Sequence, residues 1–267
     1  MSRRNLLKLG VTGFTGIVYP GFIKPPDPTY ENRNKVSSEK VETMPEIKQD
    51  PKKRNCAPIS YANAILWLAD NGYPDLVQGI PSLPTVQKAL VDKLTQNMKT
   101  DNIGTSRSDQ HNGLANYIRS RGYDVEIEYY GCKVDSCGRF LSCDPDLDFI
   151  EEGVKGSSNV ILALNEYEYD PSQKIYSPTL SHGVTVSDAI RLGPNAMDIV
   201  VSDSLGYFKK LRLSHTEDQS IIELLQARDG YEKVSSCLEC ERLDNRSEKY
   251  PDRILIIPDV VKFKVLN

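Results

Sequence analysis

NCAPISYANAILWLAD, residues 55 to 70, is the stretch around which the fold is expected to form. Tyr61, Ile65 and Leu68 recur at i, i+4 and i+7, the spacing of one face of an α-helix. Pro58 is compatible with this helix, because proline is tolerated in the first turn. At the other end, Gly72 can take the left-handed conformation that terminates a helix. The sequence therefore predicts a helix that begins at Cys56, with Asn55 or Cys56 as its N-cap.

A cysteine at the start of a helix is in a chemically favourable position. The positive end of the helix dipole and the unpaired N–H groups of the first turn stabilise a negative charge there. Both effects lower the pKa of a thiol, and the thiolate is the nucleophilic form. Cys56 is therefore a candidate for covalent catalysis. A structural cysteine or a disulfide partner is the alternative interpretation.

The elements around this helix indicate an α+β fold, with helices first and antiparallel strands afterwards. Two further helices are predicted near residues 85–98 and 109–120, and a cysteine- and glycine-rich loop at 131–148 precedes a short helix near Phe149. Another helix is predicted at 219–227. Alternating or continuous apolar runs predict strands at 125–129, 160–164, 183–190, 199–203, 207–213 and 254–265.

The second candidate site residue is His182. The chain has three histidines, so any base of this type is His111, His182 or His215. His182 begins the predicted strand at 183–190, whereas His111 and His215 are expected at the surface. The next strand ends at Asp203, whose carboxylate could hold the far nitrogen of the imidazole, as in catalytic triads generally. Asp188 and Asp198 are alternatives for this third role.

Together these residues resemble the bacteriocin-processing type of papain-like cysteine peptidases. That group typically has Cys-Gly-Pro at the start of an apolar helix, a histidine that begins a strand, and an aspartate that ends the next strand. The resemblance implies a papain-like fold, with Cys56 as nucleophile, His182 as base and Asp203 as its orienting acid. A glutamine shortly before the cysteine contributes to the oxyanion hole in that group, and Gln49 matches its place.

The resemblance covers roughly residues 45 to 210 and is incomplete at three positions. Ala57 stands in place of the usual glycine, Gly183 in place of a larger apolar residue, and Ser204 in place of proline. The Cys-Gly-Ser-Cys-Trp sequence of papain itself is absent.

The N-terminus, MSRRNLLK, resembles a twin-arginine export signal. A weakly apolar stretch follows from Leu9 to Ile23, which is the arrangement of an export segment. The expected organisation is an export signal or anchor at 1–25, a flexible linker at 26–45 and a papain-like domain at 46–267. The protein is then expected in the periplasm or outside the cell, tethered to the membrane if the N-terminal segment is retained.

The remaining cysteines fall in two short groups: Cys132, Cys137 and Cys143, then Cys237 and Cys240. In an exported protein they are expected to form disulfides. A zinc site of four thiolates is the alternative, although the spacing is looser than in paired Cys-x2-Cys knuckles. Because five is an odd number, one cysteine is left over, and it could pair with Cys56.

Composition narrows the class of protein. A net charge of −4 disfavours nucleic-acid binding, and no cofactor is needed for thiol chemistry. The leading hypothesis is an exported cysteine peptidase that acts on a peptide or protein substrate. The alternatives are a catalytically silent papain-like binding domain at the cell surface and a transglutaminase-like acyl transferase. The substrate sequence and the oligomeric state stay open.

Overall fold

The computed structural model describes residues 40–77, 83–131, 146–155, 158–172, 175–217, 237–243 and 253–266. It contains five α-helices within these ranges. They are α1 (Lys40–Thr43), α2 (Cys56–Asp70), α3 (Leu83–Asn97), α4 (Arg107–Ser120) and α5 (Leu147–Val154), with a 3₁₀ turn at Pro74–Val77. Helix α2 has the bounds that the sequence predicts, and nearly all of its residues are buried.

Seven antiparallel strands form one sheet in the order β1-β7-β2-β3-β4-β5-β6. An additional pairing between β6 and β7 joins the ends of the series β7-β2-β3-β4-β5-β6, so these six strands close on themselves. The strands are β1 (Asp124–Gly131), β2 (Ser158–Asp170), β3 (Ile175–Gly193), β4 (Ala196–Ser202), β5 (Lys210–Thr216), β6 (Cys237–Arg242) and β7 (Arg253–Leu266). The α+β class predicted from the sequence is therefore confirmed.

Two apolar clusters hold the helices to the strands. The first joins α2, α3 and α4 to one face of β1 and β7, including Val125, Val261 and Phe263. The second joins α5 to β2–β7 and includes Leu164 and Val260. Neighbouring residues Val260 and Val261 thus belong to different clusters, as the two-residue period of a strand requires. Side chains in register with Val261 face the helices.

Strands β2 and β3 are longer than the sequence predicts. A bulge between Glu166 and Tyr167 shifts their register and lets the pair continue past Pro178. Strand β6 was not predicted, because its sequence, CLECER, is short and charged at its end. The helix predicted at 219–227 lies outside the described residues.

Residues 40–50, here called the N-terminal strap, pack on the domain. Lys40 is buried and donates a 2.7 Å hydrogen bond to the Ser158 carbonyl. Further along, Ser202 donates to the Pro45 carbonyl, and Asn63 accepts from the Ile47 amide. Residues 40–45, expected from the sequence to belong to a flexible linker, are instead packed on the domain, and the apolar side chains of Met44 and Ile47 are buried.

None of the helices in the described ranges is long and apolar enough to cross a bilayer.

Candidate active site

Helix α2 carries Cys56 at its first residue and is fastened to β3 by two hydroxyl side chains. The Ser60 hydroxyl lies 2.9 Å from the Cys56 carbonyl and 2.8 Å from the Gly183 carbonyl. Thr185 donates a 2.7 Å hydrogen bond to the Ser60 carbonyl. These contacts fix the first turn of α2 against the part of β3 that carries His182. Ser60 and Thr185 carry no local pattern that predicts this connection, although both lie close in sequence to predicted site residues.

The Cys56 thiol is in hydrogen-bonding contact with the His182 imidazole. The backbone N–H groups of Ala57 and Gly183 are also directed at the sulfur. An added Cβ at Gly183 would lie 3.6 Å from the Ala57 backbone, so strand and helix are in close contact here. The sulfur is therefore surrounded by donors that favour its anionic form.

Asp203 holds the other side of the imidazole. Its Oδ1 lies 2.5 Å from His182 Nε2, which leaves Nδ1 for the thiol. The carboxylate also accepts the backbone N–H groups of Leu205, Tyr207 and Phe208 at 2.6–2.9 Å. Asp203 is fully buried. The turn after β4 thus wraps around one carboxylate and satisfies both of its oxygens.

These contacts shift all three pKa values in a consistent way. Burial alone would raise the pKa of Cys56, but His182 and the two backbone N–H groups bring that pKa below its ordinary value. Burial alone would lower the pKa of His182, but hydrogen bonds with Asp203 and Cys56 raise it to about 9. For Asp203, burial is outweighed by His182 and the backbone donors, and its pKa is lowered. The arrangement favours a thiolate–imidazolium pair held by a carboxylate.

Phe208 is a buried aromatic neighbour of the His182 imidazole. It is fully buried, and its ring centre lies 6.5 Å from that of His182. The guanidinium of Arg242 lies 4.7 Å from the Phe208 ring centre and pairs with buried Glu166. His182 and Asp203 are themselves buried, so water is kept from the hydrogen bond between them, which strengthens that bond.

The other candidates lie elsewhere. Asp198 pairs with Arg212 at 2.7 Å, and Asp188 accepts the Ala189 amide at 2.9 Å. His215 lies on β5 opposite Leu238. His111, expected at the surface, is instead turned inward on α4 and packs edge-on against Tyr129. The structure therefore brings together Cys56, His182 and Asp203 out of the set named from the sequence.

Gln49 contacts Ser204, the residue that follows Asp203. Its backbone N–H donates to the Ser204 carbonyl at 3.0 Å, and its side-chain oxygen accepts from the Ser204 hydroxyl at 3.0 Å. Its amide nitrogen donates to the Lys53 carbonyl at 2.5 Å. Gln49 thus ties the N-terminal strap to the residue after Asp203, and one proton of its amide group is left for another acceptor.

No disulfide joins any two of the three cysteines in the described ranges, Cys56, Cys237 and Cys240. Burial raises the pKa of the Cys240 thiol well above its ordinary value. Cys132, Cys137 and Cys143 lie outside the described residues, so the predicted pairing stays a prediction. Among the residues that the structure describes, no group of three or more potential ligands is placed to hold a metal ion.

Comparison with known proteins gives little beyond this geometry. No family model matches the chain, and a search of curated proteins finds no match. Among solved structures, the Pseudomonas avirulence protein AvrPphB aligns over 85% of this chain and 100% of that chain, at 10% sequence identity and a TM-score of 0.29. At this TM-score the alignment supports neither a shared fold nor a shared function.

Proposed function

We propose that this protein is a cysteine peptidase with a papain-like arrangement, in which Cys56, His182 and Asp203 form the catalytic triad. The observation that carries this proposal is the contact of a helix-terminal thiol with an imidazole whose other nitrogen is held by a buried carboxylate. Three residues far apart in the chain are in contact as thiol, imidazole and carboxylate, the arrangement that nucleophilic catalysis requires.

In the first half of the reaction, the Cys56 thiolate attacks the carbonyl carbon of a peptide bond. A carbon–sulfur bond forms, and the carbonyl electrons move to oxygen. Backbone N–H groups at the start of α2 support that negative charge, and Gln49 is proposed to add its remaining amide proton. When the tetrahedral intermediate collapses, the carbon–nitrogen bond breaks, and the His182 imidazolium gives its proton to the leaving amine.

In the second half, the neutral imidazole takes a proton from water, and the resulting hydroxide attacks the thioester carbon. The carbon–sulfur bond breaks, the carboxylic acid leaves, and the thiolate–imidazolium pair is restored. Asp203 holds the ring orientation throughout and stabilises its charged form. If an amine replaces water, the same steps yield acyl transfer, so the geometry supports both outcomes at this stage.

We also propose that the protein acts after export from the cytoplasm. The support is the SRRNLLK sequence at residues 2–8 with the weakly apolar segment behind it. Fractionation of cells that express the full chain tests this proposal. Replacement of Arg3 and Arg4 by lysine should retain the protein in the cytoplasm, and an unchanged distribution would contradict twin-arginine export.

The thiol chemistry is tested on the full chain by labelling with iodoacetamide under non-reducing conditions. Modified cysteines are located by peptide mass mapping between pH 5 and pH 10. Cys56 should react at neutral pH, and His182→Ala should move its reactivity to higher pH. Buried Cys240 is the internal control, because its raised pKa should keep it unlabelled.

Hydrolysis is tested with the same protein on peptide libraries read by mass spectrometry. Wild type should cleave peptides, and Cys56→Ser should leave the substrates intact. Addition of a primary amine separates the two product classes, since a transferase yields an amide with the added amine. A Cys56 thiol that reacts like an ordinary surface thiol would exclude the peptidase proposal and favour a binding domain.

A further inference from the structure

The turn that holds Asp203 is fastened to the core through Phe208. Residues 203–209 connect β4 to β5, and within them Asp203 accepts the backbone N–H of Phe208 at 2.9 Å. The Phe208 side chain is fully buried and belongs to the second apolar cluster. Because the N–H and the ring belong to one residue, a displacement of the ring also displaces a donor to the carboxylate. The hydrogen bonds of Asp203 therefore depend on what holds Phe208.

Arg242 contacts Phe208 from a strand that carries none of the proposed catalytic residues. It is the last residue of β6 and is paired with Leu211 on β5. Its guanidinium lies 4.7 Å from the ring centre of Phe208, within the range of a cation–π interaction. The Arg242 side chain is 14% exposed. Such a contact is stronger when the cation is largely desolvated, so Arg242 helps to fix the ring.

Glu166 in turn holds Arg242. This glutamate lies on β2 and is buried, and its Oε1 contacts the Arg242 guanidinium. Its Oε2 lies 2.9 Å from a guanidinium nitrogen of Arg253 on β7 and accepts the Thr179 hydroxyl at 2.9 Å. Oε2 thus keeps one partner if the other is lost. A guanidinium paired with a buried carboxylate has a defined orientation, because the hydrogen bonds between the two groups are directional.

Strand register places this network on the same face of the sheet as the proposed base. Leu164 on β2 is opposite His182 on β3, and directly paired residues share a face. Glu166 is two residues beyond Leu164, and residues two apart in a strand also share a face. Leu164 and Phe208 belong to one apolar cluster. The contacts of Glu166, Arg242 and Phe208 therefore lie on the face of the sheet from which His182 projects.

We propose that Arg242, held by Glu166, is a positioning residue of the proposed active site: it fixes Phe208 and thereby keeps the Asp203 carboxylate against the His182 imidazole. This inference rests on the proposed function, because it takes Asp203 to be the residue that orients the base.

Positioning and a direct effect of charge predict opposite changes. The charged groups that act on His182 directly are Asp203 and Cys56. If Arg242 acted through its charge, its removal would raise the pKa of His182, because a nearby cation destabilises an imidazolium. If Arg242 keeps Asp203 in place, its removal weakens that contact. Burial then predominates and the pKa of His182 falls.

The test is the pKa of His182 in the full chain, followed by NMR through the imidazole chemical shifts. Arg242→Met should lower this pKa by about one pH unit, a tenfold loss of proton affinity. Arg242→Lys should also lower it, because lysine keeps the charge but lacks the planar fork of the guanidinium. Arg212→Met is the matched control: it breaks an arginine–carboxylate pair with Asp198 in the same sheet and should leave the pKa unchanged.

A double-mutant cycle separates positioning from a general loss of structure. In an Asp203→Asn background no carboxylate is left to position, so Arg242→Met should change the pKa of His182 no further. Urea denaturation checks that each variant is folded. If Arg242→Met does not fold, the double variant Glu166→Gln/Arg242→Met takes its place, because it leaves no charge at residue 166 without Arg242. An unchanged or raised pKa in the single variant, or an equal further fall in the Asp203→Asn background, would overturn the proposal.

Peptide hydrolysis distinguishes this inference from the proposed function. If wild type cleaves no peptide but Arg242→Met lowers the pKa of His182 and Arg212→Met does not, the positioning role stands and the peptidase proposal fails. If wild type cleaves peptides and Arg242→Met leaves both kcat and that pKa unchanged, the peptidase proposal stands and the positioning role is overturned.

Discussion

His182 and His111 differ in charge, although the side chains of both are turned into the protein. At the proposed active site, contact with Asp203 and Cys56 raises the pKa of His182 to about 9, against the opposing effect of burial. Arg107, Asp259, Tyr129, His111 and Tyr61 lie together between α2, α4 and the sheet and are here called the Arg107 cluster. In this cluster, burial and the nearby guanidinium lower the pKa of His111 to about 4. At neutral pH the first ring is a cation and the second is neutral.

This difference shows that the partner of a buried imidazole, more than its burial, decides its charge. His182 has an anion on each side, and His111 has a cation nearby and an unpaired nitrogen. A cationic imidazole can deliver a proton to a leaving amine. The neutral ring of His111 is packed against Tyr129 and takes no part in the proposed reaction. The same residue type thus has a chemical role at one place and a structural role at the other.

The largest expected effect comes from removing the anion beside His182. Asp203→Asn should lower the pKa of His182, because an uncharged amide no longer stabilises the imidazolium. Peptide hydrolysis, measured as kcat, should fall about 10³- to 10⁴-fold, the scale seen when a triad acid loses its charge.

Asp198→Asn is the matched control for this prediction, because Asp198 lies on β4, the strand that ends just before Asp203, and pairs with Arg212 instead of His182. It should keep kcat within about twofold of wild type. Equal losses in the two variants would mean that Asp203 acts on stability alone.

The second prediction concerns the free energy of unfolding and the ion pair between Arg107 and Asp259. Arg107→Met would leave the Asp259 carboxylate buried without its cation, at a cost of about 3–5 kcal/mol in free energy of unfolding. Urea denaturation measures it. Arg119→Met is the control: Arg119 pairs with Asp124 in an exposed bridge, so about 1 kcal/mol or less should be lost. Because burial raises the pKa of Asp259 well above its ordinary value, a loss of that small size for Arg107→Met would show that this carboxyl takes up a proton when its cation is removed.

The third prediction concerns the pKa values of His182 and His111, which NMR can compare directly. The pH dependence of imidazole chemical shifts in the NMR spectrum should give midpoints near 9 for His182 and near 4 for His111. His111→Phe and His182→Ala assign the signals. Since the folded pKa of His111 is below its ordinary 6.5, its contribution to stability is present above pH 6.5 and is lost as the pH falls toward 4. Midpoints near 6.5 for both rings would contradict both environments.

The smallest effect is expected at the junction of α2 and β3. Thr185→Val removes the hydrogen bond to the Ser60 carbonyl and should cost about 1 kcal/mol of stability. Iodoacetamide should react a few-fold more slowly with Cys56, because the thiol and the imidazole are held less firmly. Thr179→Val, on the same strand but hydrogen-bonded to Glu166, should leave the rate unchanged. A faster reaction in Thr185→Val would contradict a positioning role.

Local patterns were sufficient to predict the helix of the proposed nucleophile and the α+β class. The apolar period after Cys56 depends on neighbouring residues, and α2 has the predicted bounds. His182 and Asp203 were named from their predicted places at strand ends. The structure brings them into contact, although His182 lies inside β3 and not at its start. The exact extent of β2 and β3 was not predictable, because a bulge at Glu166 depends on the partner strand.

The Arg107 cluster could not be found from the sequence. Its members come from α2, α4, β1 and β7, and none of them has a local pattern that predicts their contact. Only strand register places Asp259 opposite Ala163, which is itself opposite Gly183 on the next strand. Register follows from pairings across the whole sheet. His111 was expected at the surface for the same reason. Gln49 was named as an oxyanion-hole residue, and that role stays a prediction; its contact with Ser204 could not be predicted, because it depends on the path of the strap.

The N-terminal strap also has a mechanical consequence. A pull on the chain before residue 40 would first load buried Lys40, whose ammonium is bonded to the Ser158 carbonyl and lies 4.2 Å from the Trp67 ring centre. The bonds of Pro45 and Ile47 come next, and Gln49 with its link to Ser204 comes last. Tension is thus spread over β2, β4 and α2 before it reaches the turn that holds Asp203. An anchor upstream could strain the strap while the geometry of the proposed triad stays intact.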